Sequence, residues 1–261
     1  MPSSSSPRPD PAPAAAGQPH HAGQRAPGPG LIWIRPAPEQ PKRPTRDDIV
    51  AAAIGLADAE GLPAVSIRRV AAVLRTRPMS LYSHIVRKDD LLNLMLDRVL
   101  GEVLVDQLPG DWRQALRAIA QHTRATARRH PWIIGALGQR PTIGPNGMRH
   151  REQSAAAVAG LDIDLFRKGA LLEAVDAYTI GHVTLELAER ETQRRERLSD
   201  PQWRTASRAY LQRLLGSGDF PHLARLGPDA GIPPADHQRL FEAGLDWLLA
   251  GFTTTLADGG R

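Results

Sequence analysis

The 261-residue sequence contains no cysteine. That excludes disulfides, thiolate metal sites and a cysteine nucleophile, and leaves the fold to rest on packing alone. No apolar run approaches the roughly 20 residues that a membrane span needs, and the N-terminus lacks the basic-then-apolar order of a signal peptide. The expectation is a soluble, cytoplasmic protein with no membrane partner. No glycine-rich phosphate loop follows a strand pattern, and neither a nucleophile elbow nor a paired-histidine zinc motif is present. Isolated carboxylates such as Asp162 and Asp164 read as helix caps. Enzymatic activity, a bound metal and a cofactor are therefore not expected. Alternating strand patterns and internal repeats are missing as well, which points to an all-α fold.

A further absence concerns charge. Between Glu60 and Asp89 there is no acidic residue, whereas Arg68, Arg69, Arg75, Arg77, His84, Arg87 and Lys88 all fall within that window. Solvated helix surfaces normally mix both signs, and phosphate is the natural partner of a long one-sign stretch. The net charge of +5 carries less information, because arginine far outnumbers lysine and compositional bias alone produces such an excess.

With 41% hydrophobic residues the chain can build a substantial helical core. Residues 1–41 are crowded with Pro, Ala, Ser and Gly and are expected to be a disordered extension. Within them Leu31-Ile32-Trp33-Ile34 reads either as a local strand or clip against the body, or as an arm that touches DNA or a partner. From Thr45 the spacing turns helical, with Ile49, Ala52, Ala53, Leu56 and Ala57 on one face. Thr45 can cap this helix and Gly61 can end it. Ser66 precedes the stripe Ile67, Val70, Ala71 and Leu74 of a short second helix. Pro78 stands in the first turn of a third, whose buried side is Leu81 and Ile85. A fourth runs from Lys88 to Leu104. Further helices are predicted at about 111–129, 132–138, 147–160, 164–196, 201–216 and 236–257, between Pro and Gly breakers.

Second and third helices joined by a turn of three to four residues match a helix-turn-helix. The candidate DNA contacts are Thr45, Ser66, Arg68, Arg75, Arg77, Pro78, Met79, Ser80, Tyr82, Ser83, His84 and Lys88. Of these, Pro78, Met79, Ser80 and Ser83 would let the third helix approach base edges closely, and Tyr82, His84 and Lys88 would face phosphates.

The segments Thr45-Arg46-Asp47-Asp48-Ile49-Val50, Ala57-Asp58-Ala59-Glu60-Gly61-Leu62, Ser66-Ile67-Arg68-Arg69-Val70-Ala71 and Met79-Ser80-Leu81-Tyr82-Ser83-His84, followed by Lys88 and Leu91-Leu92, resemble the DNA-binding domain of the tetracycline-repressor (TetR) family. The sequence departs from the family at Arg75-Thr76, where Gly and an apolar residue are usual in the turn. Trp112, His130-Pro131-Trp132, Gly138-Gln139-Arg140-Pro141, Gly144-Pro145-Asn146, Tyr178-Thr179-Ile180-Gly181 and Phe241-Glu242-Ala243-Gly244-Leu245-Asp246 are similar to the tetracycline-repressor type of C-terminal domain. The resemblance implies a helix-turn-helix domain with its connector helix over 42–104, and a helical ligand-sensing and dimerisation domain over 105–261. It also implies a transcriptional repressor that leaves its operator when a small organic effector binds; an activator or a ligand-independent regulator has the same fold.

In the tetracycline-binding subtype two histidines ligate a magnesium-tetracycline complex. The matching positions here are Ala136 and Ala177, so the resemblance implies a metal-free effector. Candidate effector contacts are His122, Trp132, Arg140, Tyr178, His182 and Glu186, groups that helices of a bundle can turn inward around an apolar cavity. Trp132 and Tyr178 read equally as core packing. His182 and Glu186 lie one turn apart, a spacing that could hold a metal, although no third ligand is near in sequence; a satisfied polar group in the core or at a subunit interface is the other reading of His182. The pairs Glu186/Arg190 and Glu191/Arg195 suggest an exposed helical extension. The apolar half of the same helix, with Leu240, Leu245, Trp247, Leu248 and Phe252, resembles the family's dimer bundle and implies a homodimer on a pseudo-palindromic double-stranded site.

Overall fold

The computed structural model describes the backbone of residues 43–137, 142–196, 200–227 and 236–258. The extension 1–41, with its apolar patch, and Arg140 lie outside the described residues. All regular structure among the described residues is helical.

The first helix, α1 (Arg46–Glu60), begins where a reciprocal cap forms. Thr45 Oγ1 accepts the Asp48 N–H at 3.1 Å, and the Asp48 carboxylate accepts the Thr45 N–H at 2.8 Å, so two otherwise orphaned donors are satisfied. It stops at Gly61, whose φ of 82° is natural for glycine. Helix α2 (Ile67–Val73) starts at Ser66, whose hydroxyl accepts the Arg69 N–H at 3.3 Å. Helix α3 (Pro78–Leu81) opens on the expected proline but is regular for only four residues. Ser83 Oγ donates back to the Ser80 carbonyl at 2.9 Å, a local alternative to helix propagation, while Ile85 N–H still reaches the Leu81 carbonyl at 3.0 Å. Helix α4 (Lys88–Leu100) is also shorter than the sequence suggests, because 101–103 tighten into a 3-10 turn.

Behind it follow α5 (Trp112–Arg129), α6 (Ile133–Leu137), α7 (Pro145–Val158), α8 (Leu165–Glu196), α9 (Asp200–Leu215), α10 (Pro221–Arg225) and α11 (His237–Asp258). The short α10 lies between two breaker stretches, where no helix was expected. Helix α7 starts two residues ahead of the predicted Gly147. Asp97 of α4 caps it from outside, its Oδ1 accepting the N–H groups of Asn146 at 2.9 Å and Gly147 at 3.0 Å. Gly144 approaches Asp97 so closely that a Cβ there would collide with the carboxylate. Asp164 does cap α8, accepting the Arg167 N–H at 2.8 Å.

Ile49, Ala53, Val70, Leu81, Ile85, Leu91 and Met95 are buried together, and the same cluster continues into Trp132, Ile133 and Val183. The first four helices thus share a core with α6 and α8. A second cluster, including Leu116, Val158, Leu171, Val175, Phe241 and Leu245, joins α5, α7, α8 and α11. Each such aliphatic side chain contributes about 1.5–3 kcal/mol on full burial. Helix α4 packs on α1, α6 and α7, so it bridges the N-terminal helices and the body.

Candidate nucleic-acid interface and ligand cavity

Caps and core together present one face of α2–α3 to solvent. Arg68, Arg75, Arg77, Pro78, Met79, Tyr82, Ser83, His84 and Lys88 are exposed, as is Thr45, while Ser66 and Ser80 are half-buried. Met79 is 76% exposed although Leu81, two residues on, is fully buried. Two of the window's cations are already engaged. Arg69 grips Glu60 through two hydrogen bonds of 2.9 and 2.5 Å, and the bonded guanidinium holds the Glu60 carboxyl below its ordinary pKa. Arg87 caps α4, its N–H donating to Asp90 at 3.0 Å with an ion pair at 3.5 Å.

The turn between α2 and α3 closes without glycine. Arg75 adopts φ 51°, the only non-glycine residue at positive φ among the described residues, and Thr76 N–H reaches back to the Ala71 carbonyl at 2.9 Å. This left-handed backbone costs an ordinary residue about 1–2 kcal/mol. It aims an exposed guanidinium outward on the basic face.

Where the N-terminal helices meet the body, two histidine nitrogens are bracketed by acids. His130 Nδ1 lies 2.8 Å from Asp58 and Nε2 lies 3.2 Å from Glu102. Arg129 donates to Glu102 at 2.7 Å. Partial burial opposes ionisation of Glu102, yet the Arg129 and His130 contacts outweigh it and hold the carboxyl below its usual range. Trp132 joins this junction, Nε1 donating to Asp58 at 2.8 Å, so its indole ties α1 to the start of α6.

A cavity of about 750 Å³ opens between α4, α5, α6, α7 and α8. Its walls are mainly apolar, with Leu100, Val103, Ile133, Leu137, Leu172, Ala177 and Ile180, and its polar groups are Thr123, Thr142, His150, Arg151, Ser154, Glu173 and Asp176. None of the described sequence candidates for effector contact lines it. His122 is exposed rather than inward. Tyr178 turns to α11, its hydroxyl donating to the Phe241 carbonyl at 2.9 Å and its ring stacking on Phe241 at 5.6 Å between centroids; Gly244 leaves room for that ring. His182 Nε2 donates to the His237 carbonyl at 3.1 Å, and burial, with Arg124 nearby, pushes its imidazole down.

Glu186 is wholly buried, contrary to an exposed extension at that point. Its carboxylate takes Arg124 at 3.0 Å, Arg128 at 3.2 Å and Arg190 at 2.7 Å. Three guanidiniums on one carboxylate argue against a metal shared with His182. The Glu191/Arg195 pair does form on the exposed surface, at 2.9 Å. Of the expected dimer residues, Leu245 is consumed by the chain's own core, whereas Trp247 is 77% exposed, and Leu185 on α8 is 73% exposed.

The cavity residues that sequence reasoning missed carried a signal. Glu173, Asp176, Ala177 and Ile180 follow i, i+3, i+4, i+7 spacing on α8, so the position matched to a lost metal ligand, Ala177, already marked the inward face. Ala136, the other, is buried in the core.

An all-helical body behind a capped, basic helix-turn-helix defines a class, the DNA-binding transcription regulators. Residues 105–256 match the family model described as "Tetracyclin repressor-like, C-terminal domain". The HTH-type transcriptional repressor DrrR1 of Streptomyces coeruleorubidus is 37% identical over 232 residues, covering 87% of this chain and 85% of that protein. An HTH-type transcriptional regulator of Saccharopolyspora erythraea is 34% identical, covering 87% and 93%. Among solved structures, apo ActR from Streptomyces coelicolor superposes with a TM-score of 0.68 at 28% identity, covering 84% of this chain and 99% of that one. ActR in complex with actinorhodin gives 0.65 at 30% identity, covering 83% and 99%. The chain belongs to the tetracycline-repressor family and is a transcription regulator, not an enzyme.

Proposed function

We propose that this protein is a homodimeric repressor whose α2–α3 face reads a pseudo-palindromic operator, and whose cavity takes a small organic effector that releases it. The observation that carries the first half is the exposed, acid-free face bearing Arg68, Arg75, Arg77, His84 and Lys88. Pro78, Met79, Ser80 and Ser83 would approach base edges, with Tyr82, His84 and Lys88 on phosphates. Thr45 and Ser66 stand at helix N-termini, where N–H groups and the helix dipole favour a phosphate. The arginines at 68, 75 and 77 add backbone contacts.

Exposed apolar groups on α8 and α11, Leu185 and Trp247, support a helical bundle between two copies. In such a dimer the reading helices must sit about 34–36 Å apart to enter successive major grooves. The effector is assigned to the 750 Å³ cavity rather than to Trp132, Tyr178, His182 and Glu186, whose polar atoms are engaged within the protein. Helix α4, which packs on α1 and on α7, carries the change, and a ligand that binds better to the splayed arrangement shifts the population away from the operator. That ActR has been crystallised with actinorhodin supports a ligand site in this fold.

Binding of purified full-length protein to random duplex, measured against salt, tests the DNA half. A steep salt dependence is expected, and Lys88→Ala should flatten the slope by about one phosphate contact. Indifference to duplex at low salt would overturn it.

A further inference from the structure

The described wall of the cavity is unevenly charged. Helix α8 contributes two carboxylates, Glu173 and Asp176, and α7 contributes His150 and Arg151. The Arg151 guanidinium is drawn to Thr142, donating to Oγ1 at 3.2 Å. His150 Nδ1 is buried with no hydrogen-bond partner, a condition rare enough in folded proteins to require an explanation. The remaining wall is aliphatic apart from the hydroxyls of Thr123 and Ser154, which donate to the Ile119 and His150 carbonyls of their own helices.

We propose that the effector carries a protonated amine on an apolar body, and that Asp176, Glu173 and His150 receive its N–H groups. This rests on the assignment of the cavity as the effector site. An ammonium has three donors and no acceptor, which complements two carboxylates and a neutral imidazole with one acceptor nitrogen. A carboxylate ligand would face Glu173 and Asp176 and be repelled, and the Arg151 guanidinium that could draw it is turned to Thr142. An alcohol brings only one donor and no charge, so it matches fewer of these acceptors. A volume of about 750 Å³ lies within the range of about 300–1,000 Å³ for drug-sized ligands, so the amine belongs to a sizeable, largely apolar molecule.

The electrostatics of the wall agree with this role. Burial pushes the Asp176 carboxyl up, against the opposing pull of His150 and Arg151. Burial likewise pushes the His150 imidazole down, aided by Arg151 and opposed by Asp176. Both groups are thus biased toward their neutral forms. An arriving ammonium adds a positive charge beside Asp176 and so favours its charged form.

Three shape-matched probes test the proposal on the full-length protein by titration calorimetry at pH 7: 1-naphthylmethylamine, 1-naphthalenemethanol and 1-naphthoate. The amine is expected to bind about tenfold more tightly than the alcohol, the increment of one charge-assisted hydrogen bond, with the naphthoate weakest. Asp176→Asn should remove about that tenfold for the amine and leave the alcohol unchanged; Glu173→Gln, at the other cavity carboxylate, should produce a smaller loss and guards against a folding defect in the first variant. Ala177→Trp, which fills the cavity, should abolish binding of every probe. If the alcohol or the naphthoate binds as tightly as the amine and Ala177→Trp abolishes both, the charge preference is wrong and the cavity assignment stands. If the amine preference survives Ala177→Trp, the cavity assignment itself is wrong. Failure of all three probes to bind overturns both.

Discussion

The basic face and the cavity are built from different kinds of information. Every exposed group proposed for DNA lies between Thr45 and Lys88, and its placement follows from caps, a proline and short helical stripes. The cavity draws on residues from Leu100 to Ile180, carried by five helices whose mutual rotation decides which side chains meet. A contiguous binding surface can therefore tolerate rearrangement of the body, whereas the cavity exists only while α4 to α8 hold their packing.

The strongest way to break this contrast is Glu186→Ala. It leaves Arg124, which is itself buried, with no counter-ion in the core, and removal of one partner from a buried pair costs about 3–5 kcal/mol. Urea unfolding should show a loss of that order. If stability barely changes, the buried cluster does not organise the body.

Next in size is Arg75→Gly. Relief of the left-handed backbone should stabilise the fold by about 1 kcal/mol, while loss of the exposed guanidinium weakens duplex binding. Thermal melting together with a salt titration separates the two, and a variant that melts lower would contradict the strain assigned to Arg75.

The smallest effect concerns pH. Burial holds the folded His150 pKa below its ordinary value of 6.5, so the neutral imidazole's stability is fully present above 6.5. It is lost as pH falls through 6.5 toward the folded value, where the unfolded chain takes up a proton that the folded chain resists. His150→Gln deletes this component, so its melting temperature should fall less than that of the wild type between pH 7 and pH 5. Parallel curves for the two proteins would mean that the buried Nδ1 does not resist protonation. Asp176 remains in both proteins, but His150 pulls on its carboxyl, so the difference between the two curves reads the pair together.

Much of the N-terminal architecture was legible because its signals are local. Thr45 with Asp48, Ser66, Pro78 and the stripe ending in Leu81 and Ile85 each act within one or two turns of their own helix. Even there, Arg69 was legible as a cation but not as one spent on Glu60, nine residues away. The cavity was not legible from the residues first chosen. Tyr178, His182 and Glu186 look like ligand groups in isolation, yet α11 and the α5 arginines claim them. Their neighbours Glu173, Asp176 and Ala177, on another face of the same 32-residue helix, face the cavity.

By itself, then, the sequence determined the helical class, the positions of most helices, the acid-free basic window and the loss of both histidines of the metal-dependent subtype. These depend on residue type and short-range spacing, for which backbone hydrogen bonding and side-chain charge suffice. Tertiary structure alone decided that Trp132 binds Asp58, that Asp97 caps a helix 49 residues later, that Glu186 is buried among three arginines and that His150 and Asp176 line one cavity. Those outcomes depend on how far each helix is rotated about its axis when its apolar stripe finds a partner, and no stripe specifies its partner without the others in place.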